Sequence, residues 1–339
     1  MSFNYSPSLY HRHIMDNLSQ ELEFKGGDVT AWQQNLLAKV RELVGIMPAE
    51  KVPLNIRSLW RREYEYGIIE KLVFTSEPYC DVPAYVCIPK NAVKPYPWFI
   101  CLQGHSTGMH NSIGVDFKDE TVAIEIEGDR DFAISCMKNG IGALCIEQRS
   151  FGERRENVQK MASAQMCHDA AMHALKLGKT LTGERVYDVE RALDYLATRD
   201  DVEMNRIGVM GNSGGGLISM FSAVLLKDRL AWCMPSCSFC TFRDSIMSIY
   251  HCSDNYIPGL MRYAEMYDIL GIYAPKPIVI VAGKDDDIFP IDAVKQAFER
   301  LKKIYIAAGA GDNCQLVIGN GGHRFYAADA WPVMIDLMH

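Results

Sequence analysis

The sequence predicts an α/β fold built on a mostly parallel, doubly wound sheet. Short apolar runs that resemble strands buried on both faces alternate with helical patterns along most of the chain. One of these runs leads into a glycine-flanked serine and then into a wholly apolar segment. That order indicates a strand, a sharp turn and a buried helix.

The first residues, 1–58, are predicted to form a helical extension packed on an α/β domain that spans 59–339. From residue 8 to residue 46, apolar side chains recur at intervals of three to five, as on one face of a helix. Gly26 and Gly27 interrupt this pattern, and prolines follow its end. A dimer arm is the alternative interpretation of this segment.

The pattern changes to β near residue 60. Residues 63–74 and 82–89 are predicted to be two antiparallel strands around a turn at Glu77 and Pro78. Residues 98–102 form a continuous apolar run, which is typical of a central strand in a parallel sheet.

Helices and buried strands then alternate. A helix is predicted over 131–139 and an amphipathic helix over 184–196, whereas 151–183 fits no element and is interpreted as a cover over the functional site. The remaining buried strands are predicted at 141–146, 230–234, 277–282 and 315–318.

Composition excludes several classes of protein. A hydrophobic fraction of 48% with 23% charged residues is ordinary for a globular protein with a large core. The net charge of −7 and the lack of a basic stripe argue against a nucleic-acid partner. No signal-peptide pattern and no membrane-spanning apolar run is visible, so a cytoplasmic protein without a membrane partner is expected. The eleven cysteines are accordingly expected to be reduced thiols.

The glycine-flanked serine is Ser213. A nucleophile at a sharp strand-to-helix turn needs small residues two positions before and after it, and Gly211 and Gly215 occupy both positions. Ser106 lies in a second G-x-S-x-G match, but a polar, glycine-broken segment follows it instead of an apolar helix. We therefore predict Ser213 as the nucleophile and the N–H of Gly214 as a donor to an oxyanion.

The acid that would orient a catalytic base is expected in a loop after a late strand. Three consecutive aspartates lie in such a loop. Asp286 is predicted because its spacing from Gly283 and Pro290 fits the layout G-x-x-D-x-x-x-P. Asp285 and Asp287 stay open as alternatives.

The base is predicted to be His323, which lies in a glycine-rich loop after the last strand. The chain order Ser213, Asp286, His323 is the nucleophile–acid–base order known for one class of serine hydrolases. The N–H of His105, in the loop after 98–102, is the predicted second oxyanion donor, with Gly104 allowing close approach. The His105 side chain is the weaker candidate for the base.

Neither a metal nor a cofactor is expected. Cys233, Cys237 and Cys240 have the spacing of an iron–sulfur site, but the first of them begins inside a predicted buried strand, which favours buried free thiols. The five-residue spacing of His105 and His110 gives a metal site little support.

Taken together, these motifs resemble the α/β-hydrolases of the dienelactone hydrolase-like and acetyl xylan esterase-like branch. The resemblance covers residues 80–339, and the N-terminal helical extension is a departure from the smallest members. A second departure is Gln103, where many members carry histidine. The matching segments are 103–105, 147–153, 183–188, 211–215, 254–259, 274–277, 286–290 and His323.

The resemblance implies an α/β-hydrolase fold and a serine carboxylic ester hydrolase. In that mechanism Ser213 attacks the ester carbonyl, His323 accepts its proton and Asp286 orients the imidazole. The N–H groups of Gly214 and His105 would bind the oxyanion. The resemblance favours removal of acetyl or other short acyl groups from a sugar or similar alcohol.

Two other functions remain alternatives. A prolyl-oligopeptidase-like serine peptidase shares the domain, although the 80 residues before the resemblance are too few for the propeller of such enzymes. A non-catalytic binding protein on a hydrolase scaffold is the other alternative.

A small-molecule ester is the expected partner, and a homo-oligomer is left open. Residues predicted to line the substrate pocket could instead cap helices or make buried hydrogen bonds. They are Arg149, Glu153, His251, Asp254 and Tyr256.

Overall fold

The structure is a computed structural model that describes residues 3–156 and 167–339. The strands of these residues are β1 Arg57–Tyr64, β2 Gly67–Glu77, β3 Cys80–Pro89, β4 Tyr96–Leu102, β5 Gly142–Ile146, β6 Val202–Asn212, β7 Trp232–Ser236, β8 Ile278–Gly283 and β9 Cys314–Gly319. The helices are α1 Pro7–Asp16, α2 Val29–Val44, α3 Phe132–Lys138, α4 His168–Lys176, α5 Leu181–Leu196, α6 Gly214–Leu225, α7 Met266–Gly271, α8 Ile291–Ala307 and α9 Ala327–Leu337.

All these strands lie in one sheet, in the order β1-β2-β3-β5-β4-β6-β7-β8-β9. The pairs β1–β2, β2–β3 and β3–β5 are antiparallel, and every pair from β5 through β4 to β9 is parallel. The predicted fold class is therefore confirmed, including its antiparallel N-terminal strands. One strand prediction is wrong: 63–74 spans two strands, because the chain turns between Tyr64 and Gly67.

The central strand β4 shows how the sheet is covered on both faces. Trp98, Ile100 and Leu102 belong to one hydrophobic cluster, whereas Phe99 and Cys101 belong to another. Side chains of successive strand residues point to opposite faces, so these two clusters lie on opposite sides of the sheet. Helices α2, α5, α6, α7 and α8 contribute to the first cluster, and α3 and α9 contribute to the second.

The two helices of the N-terminal extension differ in how they attach to the sheet domain. Helix α2 buries Leu36 and Val40 completely in the first cluster. Its Gln33 amide donates hydrogen bonds of 2.9 and 2.8 Å to the carbonyl oxygens of Gly271 and Ala274. Helix α1 has no buried residue. Of the two helices, α2 is therefore the one that is packed into the core of the domain.

The region 151–183 contains α4 and the start of α5. Residues 157–166, in the middle of the predicted cover, lie outside the described residues. Among all the residues that the structure describes, no helix is both long enough and apolar enough to cross a membrane.

The difference in burial between α1 and α2 predicts a difference in their contributions to stability, which can be measured. Leu36→Ala removes a fully buried side chain, so we expect the free energy of unfolding to fall by about 2–5 kcal/mol. Leu9→Ala, on exposed α1, is the matched control and should leave stability within about 0.5 kcal/mol of the parent. Urea denaturation followed by circular dichroism measures both values. Equal losses would contradict the attachment through α2.

Candidate active site

Ser213 lies at a tight turn between β6 and α6. Its φ of 57° and ψ of −122° are disfavoured for a residue with a side chain. A Cβ at Gly215 would overlap the carbonyl oxygen of Leu102, and one at Gly211 would overlap the backbone of Gly215. Only glycine at these positions allows α6 to approach β4 so closely, and this close packing holds Ser213 in its strained conformation.

The second serine motif has a different local structure. Ser106 is exposed and is followed by a short 3₁₀ turn, Met109–Ile113, rather than by an α-helix. Of the two matches, Ser213 alone occupies a strand–turn–helix junction, which is the setting that the nucleophile motif requires.

The structure brings Asp286 and His323 together after strands β8 and β9. His323 Nδ1 lies 2.8 Å from Asp286 Oδ2, and the other carboxylate oxygen accepts the backbone N–H groups of Ile288 and Phe289. Burial opposes ionisation, but these hydrogen bonds lower the pKa of Asp286 below its usual value. The carboxylate therefore stays ionised and can hold the imidazole in one tautomer.

The two neighbouring aspartates do not share this position. Asp285 and Asp287 are both exposed, whereas Asp286 is 5% exposed. Of the three consecutive aspartates, Asp286 alone forms a hydrogen bond with His323.

Ser213 and the His323 loop meet at Ser236. The N–H of Ser213 donates to the Ser236 carbonyl oxygen at 2.9 Å, and the Ser236 hydroxyl donates to the Arg324 carbonyl oxygen at 3.2 Å. Both residues are described, and the Ser213 hydroxyl and the His323 ring are not hydrogen bonded to each other. Catalytic hydrogen bonds are often long or poorly aligned before substrate binds, so proton transfer between these two side chains would require them to approach each other.

The loop after β4 lies against the same turn. A Cβ at Gly104 would be 3.0 Å from Ser213 Cβ, which requires glycine there. Gln103 anchors the loop, because its amide donates to the Ser112 hydroxyl and the Arg130 carbonyl oxygen at 2.8 and 2.7 Å. This glutamine therefore has a structural role at the position where many relatives carry histidine.

Two backbone N–H groups are available beside Ser213. Gly214 is the first residue of α6, and its N–H has no carbonyl four residues earlier within the helix. Neither this N–H nor that of His105 donates to another residue in the described ranges, 3–156 and 167–339. An oxyanion formed at Ser213 would meet the positive end of the α6 dipole.

Sequence reasoning missed the partner of the His105 side chain. Its Nε2 lies 3.0 Å from both carboxylate oxygens of Asp254, which also binds the Arg185 guanidinium. Burial opposes protonation of His105, but the charge of Asp254 outweighs it and raises the pKa of the imidazole to about 9. The three residues are far apart in sequence, and no spacing pattern links them.

Three of the predicted pocket residues are engaged elsewhere. Arg149 binds Asp188 in a bidentate ion pair with distances of 2.9 Å, and Glu153 binds Lys71 at 2.5 Å. Asp254 is fully buried beneath His105. Their charges are already paired inside the protein, so contact of these three side chains with a substrate stays a prediction.

The other two predicted pocket residues lie nearer the surface. The His251 ring has its centroid 6.3 Å from that of His105 and 6.4 Å from that of Phe289, which in turn stacks on His323. These rings form an aromatic border on one side of the site. Tyr256 is 37% exposed and lines an apolar groove of about 340 Å³ together with residues of α1.

A separate polar cavity of about 500 Å³ adjoins His323. It is formed by the segment 125–130 together with His323 and Arg324. Because it reaches the imidazole, this cavity offers room for the part of a substrate that extends away from Ser213.

Within the residues that the structure describes, two clusters contain residue types that bind metals. They are His105, Cys167, Cys252 and Asp254, and Cys237, Asp286 and His323. Hydrogen bonds within the protein already occupy Asp254 and Asp286, and Arg185 places a positive charge in the first cluster. We therefore assign no metal ligands. Cys233, Cys237 and Cys240 are buried, and none of the three forms a disulfide.

The sheet order and the tight turn at Ser213 define the chain as an α/β-hydrolase. The sequence profile of the Abhydrolase family matches residues 12–314, and the chain belongs to that family. YtaP of Bacillus subtilis (strain 168), which is provisionally named a hydrolase, is 29% identical over 285 residues, covering 83% of this chain and 90% of YtaP.

Solved structures show the same fold. A Bacteroides fragilis NCTC 9343 protein, provisionally described as an acetyl xylan esterase, aligns with a TM-score of 0.76 at 19% identity, over 98% of this chain and 85% of that one. A glucuronoyl esterase from Solibacter usitatus aligns with a TM-score of 0.68 at 14% identity, over 95% of this chain and 96% of that one. Both alignments show the α/β-hydrolase fold that the resemblance implied.

The contrast between neighbouring aspartates gives a test of the site. Asp286→Asn places an amide opposite His323 Nδ1 and favours the wrong tautomer, so we expect the turnover of p-nitrophenyl acetate to fall by about 10⁴-fold. Asp285→Asn changes an exposed side chain one position away and should leave turnover unchanged. A larger loss in Asp285→Asn would show that the acid is misassigned.

Proposed function

We propose that the protein is a serine carboxylic ester hydrolase that works through an acyl-enzyme. The observation that carries the proposal is the Asp286–His323 hydrogen bond in loops that meet the strained turn at Ser213. A serine in this setting needs a base whose tautomer is fixed by an acid, and both are present.

In the proposed reaction, Ser213 Oγ forms a bond to the ester carbonyl carbon while His323 Nε2 accepts the hydroxyl proton. The tetrahedral oxyanion is bound by the N–H groups of Gly214 and His105, each contributing about 3 kcal/mol to lowering the barrier. The carbon–oxygen bond to the alcohol then breaks, and His323 gives its proton to the departing oxygen.

The acyl-enzyme is then hydrolysed by the same groups. His323 accepts a proton from water as the water oxygen attacks the acyl carbon, and the second oxyanion occupies the same N–H groups. Collapse of this intermediate breaks the bond to Ser213 Oγ, which regains a proton from His323. The products are one alcohol and one carboxylic acid.

The proposed substrates are esters of short acyl groups, acetyl above all, with a sugar or similar alcohol. The structural neighbours described as acetyl xylan esterases support an acetylated carbohydrate alcohol. The neighbour described as a glucuronoyl esterase supports a carbohydrate ester more generally, since its name places the sugar on the acyl side. The polar cavity of about 500 Å³ beside His323 supports a polar substrate. A prolyl-oligopeptidase-like activity has less support, because the structural neighbours named above are described as esterases.

Ser213→Ala tests the proposal directly. Since the alanine variant lacks the nucleophile, we expect the turnover of p-nitrophenyl acetate to fall by at least about a thousandfold. Ser106→Ala is the matched control, because it removes the hydroxyl from the other G-x-S-x-G motif. A peptide p-nitroanilide assayed in parallel should not be cleaved.

Three outcomes would contradict this proposal. Full activity of Ser213→Ala with an inactive Ser106→Ala would identify the other serine as the nucleophile. Faster cleavage of the peptide amide than of the ester would favour a peptidase. Ester turnover that does not depend on either serine would overturn the proposed mechanism.

A further inference from the structure

The His105 side chain lies against the first residue of α6. A Cβ built on Gly214 would be 2.8 Å from His105 Cε1 and Nδ1, so one edge of the ring covers the Gly214 Cα. Nε2, the ring nitrogen bonded to Cε1, is held by the carboxylate of Asp254. The ring is thus fixed between a buried carboxylate and the residue whose N–H faces the proposed oxyanion.

The charges around Asp254 do not cancel. The carboxylate is fully buried and binds two cationic partners, the Arg185 guanidinium and the His105 imidazole. Arg185 alone balances the single negative charge of Asp254. When His105 is protonated, Asp254, Arg185 and His105 together carry one net positive charge. His105 is the member of this group that lies against the start of α6.

Phe151 supports both cations. Its ring centroid lies 4.3 Å from the Arg185 guanidinium carbon, and the His105 ring meets it edge-to-face with centroids 4.9 Å apart. The negative face of an aromatic ring stabilises adjacent positive charge, and of the two cations Arg185 is the buried one.

Two further titratable groups around His105, His251 and Cys167, are uncharged. His251 faces the ring, and burial together with the charge of His105 lowers the pKa of His251, so it stays neutral. The thiols of Cys167 and Cys252 lie in the same cluster, and Cys167 is held protonated because hydrogen bonding to Cys252 and burial raise its pKa. Arg185 opposes protonation of His105, and Asp254 outweighs it.

We propose that the His105 side chain, protonated and held by Asp254, supplies positive charge that stabilises the tetrahedral oxyanion at Ser213. This inference rests on the proposed ester hydrolysis and adds a role for a side chain whose backbone N–H was the predicted donor. Charge fixed in place before the reaction and shielded from water stabilises a developing anion without reorganisation. Asp254 acts through His105 and is a positioning residue.

The proposal has a consequence for the pH dependence of the reaction. Because the pKa of His105 is raised to about 9, the charge is present at neutral pH and is lost as the pH rises through that value. The kcat of the parent should therefore decline on the alkaline side near pH 9, while KM changes little.

His105→Gln is the variant that tests this role. The glutamine amide can donate to Asp254 but carries no charge, so we expect kcat for p-nitrophenyl acetate to fall by about 10- to 100-fold with KM unchanged. Its alkaline decline should be absent in rates corrected for spontaneous hydrolysis. His110→Gln, a neutral histidine in the same loop, is the matched control and should keep both kcat and the decline.

Asp254→Asn distinguishes an effect of the His105 charge from a loss of folded protein. Losing the carboxylate lowers the pKa of His105, so the alkaline decline should move to lower pH even if stability also falls. A variant that lost activity only through misfolding would keep the parent's pH profile in its residual folded fraction.

The outcomes distinguish the two proposals. Ser213-dependent hydrolysis with an unchanged kcat and pH profile in His105→Gln would overturn the role of the imidazolium alone. A kcat loss in His105→Gln that keeps the parent's alkaline decline would also overturn it, because the charge would then be irrelevant. Turnover independent of Ser213 would overturn the proposed function and this inference with it.

Discussion

The site depends on one backbone constraint, the close approach of α6 to the end of β4. Cβ atoms at Gly104, Gly211 and Gly215 would each meet neighbouring backbone at or below the limit of van der Waals contact. The missing side chains let the chain reverse within one residue, and Ser213 takes up the strain at φ 57°. The first N–H groups of α6 thereby face the position above Ser213, where they have no partner within the helix.

Much of this arrangement could be predicted from sequence because it follows from local patterns. Apolar runs identify the buried strands, and the glycines around Ser213 are required by sterics that act within five residues. Asp286 and His323 could be placed because loops after neighbouring parallel strands share one edge of the sheet. The single strand predicted over 63–74 failed because nothing in its alternation marks the turn that separates β1 from β2.

The contacts of charged side chains could not be predicted in the same way. Arg149 and Glu153 were expected at the substrate, yet their partners Asp188 and Lys71 come from α5 and β2, at sequence separations that no periodicity encodes. Asp254 likewise reaches His105 only because the segment after β7 folds back over the loop that follows β4. Burial of a charge requires a partner, but the sequence does not identify which one.

The central claim is that Ser213 is an activated nucleophile. Treatment with a fluorophosphonate, followed by digestion and mass spectrometry, tests this without any assumption about the natural substrate. We expect one phosphonyl group per chain, on the peptide containing Ser213, and much slower labelling in Asp286→Asn. Labelling of Ser106, or no labelling of a folded protein, would contradict it.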